Sequence, residues 1–101
     1  RITAIGNEPT EAPGSFRLIG NFPNPFNPST AIRYELPEPM RVTLTVHDAI
    51  GREVARLVEG PMPSGSHTEI WNTGNAIPSG VYFVTLSAGE RTQTRAAVLL
   101  R

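Results

Sequence analysis

The chain has 101 residues, nine acidic and nine basic side chains, a formal net charge of zero and no cysteine. That is one domain's worth of chain with room for a single core. A balanced charge leaves no electrostatic footprint for nucleic acid or an anionic membrane surface, and the lack of cysteine excludes a disulfide framework, thiol catalysis and cysteine-based zinc.

No apolar run approaches the roughly 20 residues of a membrane-spanning helix. All nine basic residues are arginine, a bias that a GC-rich genome explains more simply than a hot or saline habitat. Residues 1–15 are polar, with two prolines and two glycines. They read as a linker from a preceding domain, Ile2 and Ile5 allowing at most a short strand. The sequence opens at Arg1 without a signal peptide and reads as the excised C-terminal part of a longer protein.

Residues 16–101 then carry the domain. Phe16 to Ile19 forms a short first strand. Next comes Asn21-Phe22-Pro23-Asn24-Pro25-Phe26-Asn27-Pro28-Ser29-Thr30. Each proline fixes φ, removes a donor and bars the preceding residue from the helical region, so helix and central strand are both excluded. The segment is a stiff structural loop, Pro23 to Pro28, on a sandwich edge. Its Phe22 and Phe26 rings are expected to tuck inward, and Asn24 and Asn27 to close Asx turns.

Thr30 to Leu36 alternates, with Ile32, Tyr34 and Leu36 facing in. After the stop at Pro37-Glu38-Pro39, Arg41 to Asp48 alternates with Val42, Leu44 and Val46 inward. Asp48-Ala49-Ile50-Gly51 turns the chain into Arg52 to Val58, making 41–58 a hairpin. Gly60 to Gly65 reads as a loop. Ser66 to Asn72 carries the only tryptophan, Trp71, but Glu69 shares its face, which predicts an edge strand or a bulge. Thr73 to Gly80 is a long turn, Val81 to Ser87 a strand with Tyr82, Val84 and Leu86 inward, and Ala88-Gly89-Glu90 a turn into a last strand from Thr92 to Leu100. Short strands with regularly recurring turns define an all-β sandwich.

Little here points to catalysis. His47 and His67, the only histidines, are not brought near a serine by any sequence pattern. The carboxylates lie beside arginines on solvated faces, as in Arg33/Glu35 and Arg52/Glu53. The one metal option is a weak calcium site from Asn24, Asn27 and Asp48, for which Asx turns are the better account. Trp71, Tyr34, Tyr82 and Phe83 could make a sugar-binding platform, but Tyr34 and Tyr82 fall on inward positions and a sandwich core wants its tryptophan. The sequence therefore predicts no enzyme, no cofactor and no bound metal, and a monomer.

The run from Asn21 to Pro37, NFPNPFNPSTAIRYELP, closely resembles the entry to type A C-terminal sorting domains of type IX (Por) secretion cargo. Three further boxes follow in order: Asp48-Ala49-Ile50-Gly51-Arg52-Glu53-Val54, then Ile77-Pro78-Ser79-Gly80-Val81-Tyr82-Phe83, then Gly89 with Val98-Leu99-Leu100-Arg101. Ala96-Ala97 and Glu69 depart from the family pattern, which favours a basic and a large apolar residue at the first and an apolar residue at the second.

The resemblance implies an immunoglobulin-like sandwich of about seven strands, shared with the terminal domain of the flagellar hook-capping protein. It also implies an address rather than an activity. Such domains follow a covalently linked passenger, cross the periplasm, and are read by the outer-membrane translocon and surface-attachment machinery of Bacteroidetes-type bacteria. On that reading the recognition residues are Gly80, Tyr82, Gly89, Arg95, Val98, Leu99, Leu100 and Arg101. The last strand is then a docking edge whose tip, presented by the turn at Gly89, frays freely. The alternative is a structural spacer, or a carbohydrate-binding module of an extracellular polysaccharide-degrading enzyme.

Overall fold

A computed structural model describes residues 15–101; the expected linker, apart from Ser15, lies outside the described residues. Among the described residues, seven strands make two antiparallel sheets. They are β1 (Arg17–Phe22), β2 (Ser29–Leu36), β3 (Met40–His47), β4 (Glu53–Met62), β5 (Gly65–Asn72), β6 (Gly80–Ala88) and β7 (Arg91–Leu99). One sheet runs β1-β2-β5, the other β4-β3-β6-β7. The chain changes sheet between β2 and β3, between β4 and β5, and again between β5 and β6.

Period-two sequence becomes two-faced strand directly in β2, where Thr30, Ile32, Tyr34 and Leu36 are buried. The same alternation buries Val42, Leu44 and Val46 on β3, Tyr82, Val84 and Leu86 on β6, and Ala97 and Leu99 on β7. All ten residues expected in the core, from Ile32 to Leu86 and including Trp71, are there. Each large side chain so buried contributes roughly 1.5–3 kcal/mol. Trp71 joins the layers, its ring 5.2 Å from Phe26 and 5.7 Å, edge-on, from Tyr82 of the opposite sheet, within the range of favourable aromatic pairs.

Several boundaries differ from the sequence reading. The first strand runs from Arg17 to Phe22 rather than from Phe16 to Ile19, because a bulge between Leu18 and Gly20 carries it on past Ile19. Only one of the two loop phenylalanines tucks in: Phe26 is buried, while Phe22 is 78% exposed. Phe22 is still in register opposite Ala31 on β1, and that register aims it outward.

The expected loop at Gly60 to Gly65 is mostly strand, since β4 continues to Met62 opposite Met40. Pro61 is tolerated because β4 is an edge. Between Leu44↔Val58 and Thr45↔Arg56, Leu57 is an extra residue on β4; between Val46↔Ala55 and His47↔Glu53, Val54 is another. These two bulges blur the alternation of β4 and pack Val54 and Leu57 against the core margin. For β5 the alternative resolves the other way. It is an edge strand whose eight pairs with β2 run without a shift, and Glu69 and Trp71 share the inward face.

Candidate functional site

The residues singled out for recognition do not form one cluster. Gly80 is paired with Leu99 and Tyr82 with Ala97, so Gly80, Tyr82 and Val98 to Arg101 meet at one end of the β6–β7 hairpin. Arg95 lies partway along β7, opposite Val84. Gly89 turns the hairpin at its other end, where Ala88 pairs with Arg91. Its φ of +61° is the left-handed conformation such a two-residue turn requires. The Gly89 turn therefore sets the register of β7 but does not present its tip.

That tip is anchored, not frayed. Leu99 is fully buried. The Leu100 N–H donates to the Phe26 carbonyl at 3.0 Å. The Arg101 N–H donates to Ser79 Oγ at 2.9 Å, and its guanidinium donates to the Ile77 carbonyl (3.0 and 2.8 Å) and to Thr73 Oγ1 (3.2 Å). The expected free end is instead tied to the β5–β6 connection and to the proline loop.

The outer edge of β7, expected as a docking edge, is likewise occupied. Asn24 accepts from the Val98 N–H at 2.9 Å through Oδ1 and donates to the Ala96 carbonyl at 3.3 Å through Nδ2. Phe26 donates its N–H to the Val98 carbonyl at 2.9 Å, a parallel bridge to Leu99. The proline loop thus acts as a short extra strand along β7. Asn24 reaches across 72 residues rather than closing an Asx turn, and among the described residues Asn27 closes none either. The loop is braced from behind, with Thr30 Oγ1 donating to the Pro23 carbonyl at 2.8 Å and Thr73 to the Pro28 carbonyl through both N–H and hydroxyl.

Further along, β7 grips β1 through side chains. Gln93 accepts from the Leu18 N–H at 2.7 Å and donates to the Phe16 carbonyl at 3.1 Å, while Arg95 Nε donates to the Leu18 carbonyl at 3.2 Å. Gln93 carried no signal in the sequence: a glutamine among Thr92, Thr94 and Arg95 reads as solvated surface. Arg95 is thereby a tie between sheets.

The Asp48 turn behaves as expected. Its carboxylate accepts from the N–H groups of Ile50 and Arg52 and from Arg52 Nε at 2.8 Å. The Arg52 backbone N–H above all, with the Arg52 side chain and the Ile50 N–H, holds that carboxyl below the usual range. The three calcium candidates are otherwise employed or exposed, Asn24 on β7 and Asp48 in its own turn. Among the described residues no group of three or more His, Cys, Asp or Glu is placed to hold a metal ion. The surface ion pairs differ from those expected: Glu35 meets Arg17 at 3.5 Å and Glu53 meets Arg56 at 2.8 Å. Of the aromatics weighed as a sugar platform, Tyr34, Trp71 and Tyr82 are all buried.

Exposed apolar side chains lie at this end as well. Val81 lies opposite Val98 and Phe83 opposite Ala96 on the outer face of the larger sheet. Val81 and Phe83 are exposed, and Leu100, just past the strand, is 62% exposed. An open groove of about 330 Å³ adjoins them, lined by Ile50, Val54, Ile77, Pro78, Val81 and Tyr82 among others. Ile50 at its rim is exposed as well.

Seven antiparallel strands in a three-on-four sandwich, tied by an inter-sheet tryptophan, define an immunoglobulin-like domain. The chain matches the model of the FlgD Ig-like domain over residues 26–92. It belongs to that family. No curated protein matches the chain.

Proposed function

We propose that the domain is a non-catalytic sorting and surface-attachment module of a secreted multidomain protein, read by outer-membrane type IX machinery. The support is the resemblance of its four sequence boxes, together with one physical feature. Val81, Phe83 and Leu100, all exposed, and the half-buried Val98 group apolar area together at one end of the sheet, and exposed patches of this kind mark interaction sites. Bonds from the Phe26 backbone and the Asn24 side chain hold β7 and Leu100 in place, so the patch is preorganised. A translocon that reads a folded domain gains from such rigidity, because little ordering entropy is lost on binding.

The test is a reporter fused ahead of this domain in a host with a type IX system. Truncation is a poor probe, because the final residues also hold the fold. Leu100→Ser and Val81→Thr keep the backbone and remove exposed apolar area. Export of the parent fusion, with export of the double variant reduced several-fold at unchanged melting temperature, is the expected result. Equal export by both would place the signal elsewhere. A parent fusion that stays inside a competent host would leave the structural-spacer reading standing.

A further inference from the structure

Among the described residues, three of the four sheet edges are protected. The β1 edge is capped by Gln93 and Arg95, which bind the N–H and C=O of Leu18. The β7 edge is covered by Asn24 and Phe26. The β4 edge carries two bulges and Pro61, both devices that discourage strand pairing. The β5 edge has none of these: it is eight residues long, unbulged, and free of proline, lysine and arginine.

The ladder fixes which backbone groups it offers. Thr73 donates its N–H to the Pro28 carbonyl, so in the regular alternation Trp71, Glu69 and His67 turn their backbone groups toward β2. Ser66, Thr68, Ile70 and Asn72 turn theirs outward.

We propose that β5 pairs with β5 of a second copy of this chain, antiparallel about a two-fold axis through Thr68, joining two three-stranded sheets into one of six strands. Charge selects this register over its neighbours. Centring on Glu69 would allow more backbone bonds but set the two Glu69 carboxylates directly opposite each other, a destabilising arrangement. Centring on Ile70 would place Glu69 against Trp71 of the other copy. Centring on Thr68 places each Glu69 opposite His67 of the other copy, twice over, with Ile70 opposite Ser66. The outward groups of Ser66, Thr68 and Ile70 then pair across the axis.

His67 is already oriented for this. Its ring stacks on Tyr34 at 5.1 Å, and Nε2 donates to the Pro63 carbonyl at 2.7 Å, which leaves Nδ1, an N–H donor in the imidazolium form, for the carboxylate. Glu69, half-buried, has no ion-pair or hydrogen-bond partner among the described residues. The pairing is isologous, so it closes at two copies, in contrast to the monomer expected from sequence. A competing role for Glu69 is that of a gatekeeper, since an inward-facing charge can also keep an edge strand solitary.

Single-cysteine variants read the register directly, because the chain has no cysteine of its own. Directly opposed, hydrogen-bonded residues lie about 5.5 Å apart between Cα atoms, within disulfide reach. Under mild oxidation Thr68→Cys should form a covalent dimer and Ile70→Cys should lag at least tenfold, both retaining the buried-tryptophan fluorescence of the parent. In sedimentation equilibrium the parent should be a reversible dimer. Thr68→Pro, which removes only an outward N–H, should be a folded monomer, and Glu69→Gln should weaken association several-fold.

A parent monomeric at about 1 mM, where only some 4 kcal/mol of association would be needed, overturns the proposal. So does tighter association of Glu69→Gln, which would make Glu69 the gatekeeper. Preferential crosslinking of Ile70→Cys overturns the register and with it the charge argument. A monomer that instead binds a foreign extended peptide along β5 overturns the choice of occupant.

Discussion

The Tyr34 hydroxyl lies inside the sandwich without a hydrogen-bond partner among the described residues. Burial above all, and the Glu69 carboxylate second, push its pKa from 10.0 up to about 12. The sign follows from linkage. The fold holds the neutral phenol, while the unfolded chain releases the proton near 10, so the contribution is fully present below pH 10.0 and is lost as pH rises toward about 12. At about 1.4 kcal/mol per pH unit, stability should fall by roughly 2–3 kcal/mol across that window. Tyr34→Phe removes an unsatisfied polar group and keeps the ring. It should be neutral, or more stable by about 1 kcal/mol, and should flatten this part of the alkaline decline. Urea midpoints of parent and variant on either side of pH 10 check both statements, and a clearly destabilised variant would mean that the hydroxyl does have a partner. At the same scale, Trp71→Ala should cost about 3–5 kcal/mol, because Trp71 reaches across from the smaller sheet to pack against both Phe26 and Tyr82.

Among the elements, the proline loop and β7 depend on each other. Asn24→Ala deletes two bonds to the β7 backbone and should cost about 1–2 kcal/mol, a Val98 N–H being left with a poorer partner. Phe26→Ala also opens a cavity beside Trp71 and should cost about 3–5 kcal/mol. Removing Leu99 to Arg101 deletes a fully buried leucine and the bonds of Arg101. By denaturant titration it should cost at least as much as Phe26→Ala, the reverse of what a fraying end would give. This is where the sequence was least legible. Alternation is a local signal, and it located Ile32, Tyr34, Leu44 and Val84 on the inward face because each strand repeats every two residues. It says nothing about Phe22 against Phe26 in a segment with no period, nor about an asparagine that bonds a strand 72 residues away. The β4 bulges escaped for a related reason, since an extra residue shows only against the partner strand. The candidate site was half legible: Leu100 was named as a recognition residue, but its anchorage is wholly long-range.

Across the whole molecule, the ties between layers are few, specific and spread over the length of the sandwich. Gln93 and Arg95 clasp β1 to β7, Asn24 and Phe26 clasp the loop to β7, and Arg101 clasps the end of β7 to the β5–β6 connection. Neither sheet has a core of its own, because each buries its inward face only against the other. A sheet that separated would expose that face to water, so partial unfolding costs most of the hydrophobic free energy and gains only part of the chain entropy. The expectation is a single cooperative transition. Trp71 is the only tryptophan and touches both the loop and the opposite sheet, so its fluorescence reports on the layer contact itself. Far-ultraviolet circular dichroism reports on the strands. The two should give coincident urea midpoints and equal slopes of about 1–3 kcal/mol per molar. Loss of the tryptophan signal at lower urea than the strand signal would show that the sheets part before they unravel, and that the cross-layer ties are weaker than their geometry implies.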